Sequence, residues 1–97
     1  MAQARQATVP LVRRVTRFHR LDQDAAVLII SLEADGPAIS AGLREGDLIV
    51  GFDDQSIQSL DDLHRVLTEM RIGTTARISV LRGAERHDLD VRVKERV

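Results

Sequence analysis

The 97-residue chain has no cysteine, tryptophan or tyrosine, two phenylalanines and two prolines, and its 14 basic and 15 acidic residues leave a formal net charge of −1. Without cysteine there is no disulfide framework, no thiolate zinc site and no thiol nucleophile, and both cytoplasm and periplasm remain compatible with the composition. Two aromatics are too few for the stacking platforms on which readers of single-stranded nucleic acid depend. The near-zero balance supplies no global attraction to DNA or to an anionic membrane, so nucleic acid is excluded as a partner and a membrane is disfavoured. No apolar run approaches the ~20 residues of a membrane span and no signal peptide is expected ahead of the fold, so the chain is expected to be soluble as given, with a fragment cut from a longer parent left open.

What the chain does contain is aliphatic. Its apolar share of 43% is ordinary for a globular protein and is carried by Val, Ile, Leu and Ala. A chain of this length buries roughly 60–65% of its unfolded surface, enough for one core. The expected arrangement is a single domain over 1–97, with a tail, an edge strand and a basic turn over 1–23 and the core over 24–94.

Thr8 to Val12 is extended by propensity, with Pro10 tolerated at an edge or strand start. Arg13 to Arg20 holds four arginines and His19 around Val15 and Phe18, whose spacing suits an irregular turn or short helix. Such a run is usually a solvated face, although acidic peptide, another protein domain or membrane headgroups are alternatives. Ala26 to Leu32 is a β-branched run bounded by aspartates, and Leu48 to Phe52 is a second buried strand, followed by a polar turn over Asp53 to Ser56. Between these strands Pro37 opens a short helix that Gly42 stops.

Ser59 offers an N-cap hydroxyl before Asp61 and Asp62, whose carboxylates suit a helix start. Leu60, Leu63, Leu67 and Met70 then recur at helical spacing until Gly73. Ala76, Ile78 and Val80, and after the turn at Arg82 to Glu85 also Leu89, Val91 and Val93, alternate as a hairpin with one wet face. The fold class is therefore mainly β with two helices (α+β): a partly open barrel or sandwich of five to six strands, capped by one short and one long helix.

The string Gly36-Pro37-Ala38 through Ala41-Gly42-Leu43 and Gly46-Asp47-Leu48-Ile49 resembles the signature of PDZ domains of the bacterial HtrA/Do-like, trypsin-like serine proteases. The resemblance runs from about residue 24 to 93 and includes Ser59-Leu60-Asp61-Asp62-Leu63, Gly73 and Val80-Leu81-Arg82-Gly83. It implies β-strand addition: an extended or carboxy-terminal peptide, or an unfolded segment, pairs with a sheet edge beside the long helix. The implied peptide-binding residues are Ala4, Arg5, Gln6, Ala7, Thr8 and Val9 on the ligand-side strand, with Leu60, His64 and Leu67 on the helix. The usual reading of a stripe with helical period puts Leu60 and Leu67 in the core with Leu63 and Met70, and His64 on its flank in solvent.

The glycine-containing loop that grips a free carboxylate in this family would fall at Met1 to Arg5, where neither glycine nor aromatic residue stands. Either the chain begins inside that loop, or carboxylate capture is not its mode of binding. The turn at Asp54, where the family often has glycine, is expected to be strained. No nucleophile elbow accompanies His19, His64 and His87, and their spacings do not make a metal site, so no catalysis, cofactor or metal is expected of this chain. The resemblance implies partners in peptides and in a parent protease domain, and a periplasmic or envelope location. A PDZ domain of a carboxy-terminal processing or intramembrane protease, and a subunit-docking scaffold, are the alternatives.

Overall fold

The computed structural model describes residues 5–32, 42–69 and 73–92. Its elements are β1 (Arg5–Pro10), α1 (Arg13–Phe18), β2 (Ala25–Ser31), β3 (Leu48–Phe52), β4 (Gln55–Ser56), α2 (Leu60–Glu69), β5 (Thr75–Arg82) and β6 (Glu85–Arg92). The short helix expected after Pro37, Met70 at the end of the long helix, and Val93 lie outside the described residues.

Six strands form one open antiparallel sheet in the order β1-β2-β3-β5-β6, with β4 folded back on β3, and it does not close into a barrel. Its register sorts side chains by face, because successive residues of a strand point to opposite sides. On one face Val27, Ile29, Ile49, Ile78 and Val80 meet Leu63 and Val66 of α2 in the larger core. On the other, Ala26, Val50 and Leu81 are covered by Leu11, Val15 and Leu21 from the segment that contains α1. One helix per face explains how so short a chain keeps β2 and β3 apolar on both sides.

The long helix starts where its cap is. The Asp62 amide donates to Ser59 Oγ at 3.2 Å and the Leu63 amide to the Ser59 carbonyl, while Asp61 and Asp62 lie in the first turn. Its buried residues are Leu63 and Val66; Leu67, which the helical stripe favours as core, is instead 41% exposed. The positions 60, 64 and 67 lie about a quarter turn from the buried pair at 100° per residue, so this stripe flanks the core instead of filling it.

Three local expectations need correction. The turn after β3 places Asp53, not Asp54, in the left-handed region at φ 54°. Aspartate tolerates that conformation, and here the Asp53 amide donates to the Arg77 carbonyl at 2.7 Å while its Oδ1 accepts from the Arg77 amide at 2.9 Å. Gln55 and Ser56 leave the turn and pair with Phe52 and Gly51 as β4. The second face of β5 is wet only in part: Thr75 and Arg77 are exposed, but Leu81 lies under the α1 segment, and buried Ser79 donates to Asp88 Oδ1 at 2.8 Å and accepts from Arg86 at 3.2 Å.

Candidate functional site

Apart from the two-residue β4, which lies off the path, the sheet ends in β1 on one side and β6 on the other, and these differ in what they offer. β6 begins Glu85-Arg86-His87-Asp88-Leu89-Asp90, and Asp88 and Asp90 stand near Arg86 and Arg77 at 3.5 and 3.7 Å. Charge along an edge discourages another strand from pairing there. β1, by contrast, carries one charged residue, Arg5, and its outer side meets no strand among the described residues.

The direction of each β1 backbone group follows from pairing parity. The Leu11 amide donates to the Asp24 carbonyl at 2.7 Å, so at the odd positions of this strand the backbone turns toward β2. Gln6, Thr8 and Pro10 therefore turn outward. Pro10, with no N–H, occupies a position where β2 loses nothing, which is why proline is tolerated opposite Ala25. The free edge consists of the Gln6 and Thr8 amides and the carbonyls of Gln6, Thr8 and Pro10.

α2 flanks this edge. The Leu60 amide, a first-turn donor without an intrahelical partner, donates to Thr8 Oγ1 at 3.1 Å and ties the helix start to the middle of β1. Leu60 is half-buried against the larger core, whereas His64 and Leu67, one and two turns further on, are exposed. Of the strand positions implied by sequence, Arg5 and Thr8 are exposed, and Gln6, Ala7 and Val9 are half-buried. Ala4 lies outside the described residues. The structure joins Thr8 to Leu60 directly, a contact that no sequence pattern announced.

Just before β3, an ion pair with a buried carboxylate holds the glycine-containing turn to the last hairpin. Asp47, with no exposed surface, accepts from Arg82 at 2.8 Å through each carboxylate oxygen and from the Arg44 amide at 2.9 Å. Arg82 also donates to the Gly42 carbonyl at 2.9 Å, and Gly42 itself stands at φ +103°, where a side chain would be strained. Burial pushes the Asp47 carboxyl up, but the Arg82 hydrogen bond, the Arg44 amide and the nearby positive charges outweigh it and hold the group below its usual value. The same pairing raises the Arg82 guanidinium. Sequence gave Asp47 no partner; the one available signal was a lone carboxylate opening an apolar strand.

The family profile described as PDZ domain matches residues 13–93, and the chain belongs to that family. It is 33% identical over 73 residues to a protein of Pseudomonas putida (strain W619) named probable periplasmic serine endoprotease DegP-like, a match covering 75% of this chain and 15% of that protein. Among solved structures, the HtrA-type protease AlgW with decapeptide aligns with a TM-score of 0.71 and 25% identity over 94% of this chain and 28% of its own. The HtrA3 PDZ domain bound to a phage-derived ligand (FGRWV) aligns with a TM-score of 0.68 and 12% identity, over 95% of this chain and 82% of that one, and supports the fold alone. The chain thus spans a small part of the protease it resembles.

Proposed function

We propose that this chain is a peptide-recognition module that takes an extended segment as an added antiparallel strand on β1, beside α2. The observation that carries the reading is the contrast of edges: β1 offers outward amides at Gln6 and Thr8 with Arg5 as its one charged residue, next to a helix flank bearing Leu60, His64 and Leu67. Backbone hydrogen bonds would supply affinity and the helix flank would supply selectivity. One short strand and one or two side-chain pockets correspond to micromolar binding, about −8 kcal/mol.

The chain performs no turnover in this reading. It serves a trypsin-like serine endopeptidase of the periplasm or envelope, to which it presents or reports peptide and unfolded-protein segments. The names of its relatives support this assignment, as does the decapeptide in the AlgW structure. Residues 1–23 and 24–94 act as one domain, because β1 belongs to the same sheet as the strands that follow. Among the described residues, no helix is long and apolar enough to cross a membrane.

Titration with peptides that carry a free or an amidated carboxy terminus tests the site, followed by amide chemical shifts. Shifts over residues 5–10 and 60–67 are expected. Shifts confined to Arg13, Arg14 and Arg17 would refute the groove. Equal binding of free and amidated peptides would show that the module reads internal segments as well as chain ends.

A further inference from the structure

From the polarity of β1 and the placement of α1, we infer that the preferred guest is a peptide with acidic residues on the amino-terminal side of its paired stretch, held by Arg13, Arg14 and Arg17. This rests on the strand-addition reading above. A guest antiparallel to β1 has its carboxy-terminal end beside Arg5 and its amino-terminal end beside Pro10, the last residue of the strand. Arg13 follows Pro10 by three residues, so its Cα lies within about 11 Å. Guest residues advance about 3.3 Å each, so those that run on beyond Pro10 enter the neighbourhood of the helix that begins there.

That neighbourhood is predominantly cationic. Arg13, Arg14 and Arg17 are exposed, and with Phe18 they line a shallow concavity of about 480 Å³. Among the described residues none of the three has an acidic partner, whereas Arg65, Arg77, Arg82 and Arg86 each have one. No acidic residue occurs between Arg5 and Leu21; the next ones are exposed Asp22 and Asp24, and Asp24 stands opposite Leu11, so it is the nearest carboxylate against which the three arginines are set. Phe18 is 75% exposed, with its ring edge-on to His19, and offers an apolar surface next to the guanidiniums. Val15 points the opposite way, into the sheet, so the arginines are available without disturbing the core.

Three pools of fluorescein-labelled decapeptides test this. Each pool is randomised over its last five positions and carries Glu-Glu, Gln-Gln or Lys-Lys immediately upstream. Each is titrated with the chain at about 50 mM and about 300 mM NaCl, a range over which exposed charges become screened. The Glu-Glu pool is expected to bind about fivefold more tightly than the Gln-Gln pool at the lower salt, with the difference shrinking at the higher. Arg13→Gln with Arg14→Gln should remove the preference, and Arg13→Glu with Arg14→Glu should transfer it to the Lys-Lys pool. Equal affinities for all pools, with amides of β1 still shifting, would overturn the acidic preference while leaving the groove in place. Absence of binding by every pool, with β1 amides unmoved, would remove the groove and this preference together.

Discussion

The two outer strands of this sheet face the same hazard and meet it in different ways. β6 carries charge along its length and is fastened at its hairpin, where Arg82 reaches buried Asp47 and the Gly42 carbonyl. β1 leaves its outward amides beside small and apolar residues, yet it is no loose end: Thr8 holds the start of α2 and Pro10 closes the row of donors. An unpaired edge with little charge is an aggregation risk unless something else covers or uses it. The contrast therefore says more about function than either edge does alone.

The anchored side should show the largest response to substitution. Asp47→Ala leaves Arg82 without its partner and is expected to destabilise the fold on the order of 3 kcal/mol, read from urea unfolding. Leu63→Ala should cost about 2–5 kcal/mol through the cavity it leaves, whereas Leu67→Ala, on the exposed flank, should change stability by less than about 0.5 kcal/mol and weaken peptide binding severalfold. A large stability loss at Leu67 would mean that its stripe belongs to the core.

On the open side, Gln6→Pro removes one outward donor while sparing the bonds to β2, and it should weaken peptide binding about tenfold, the equivalent of ~1.4 kcal/mol. Asp88→Val with Asp90→Val strips charge from β6 and should produce concentration-dependent self-association in sedimentation.

Acid should loosen the anchored side in a defined window. Asp47 titrates below 3.8 in the fold, so its contribution is complete above that pH and is lost as pH falls through the lower folded value. Asp88, held down first by the Ser79 hydroxyl, acts in the same direction. Unfolding free energy should fall between pH 5 and pH 2 more steeply in the parent chain than in Asp47→Asn.

Much of the architecture was legible because it is written in periodicity. The runs at 26–32 and 48–52, the Ser59 cap and the alternation from Ala76 onward each name their element without reference to distant residues. The site was only partly legible: strand and helix could be chosen from the resemblance, but the direction of each β1 backbone group depends on register, which Leu11 and Asp24 reveal only once paired. The contacts that sequence missed are long-range. Thr8 with Leu60 and Asp47 with Arg82 are 52 and 35 residues apart, and no local pattern couples them. Leu67 was ambiguous for a related reason, since a helical stripe does not say which of its flanks meets the sheet, and here Val66 took the buried place.

Amide hydrogen exchange with and without saturating peptide tests the open edge most directly. Slowed exchange is expected at Gln6 and Thr8, the outward donors, with Ala7 and Val9 little changed and the amides of β6 unaffected. Protection that appears on β6, or nowhere along β1, would contradict strand addition at this edge.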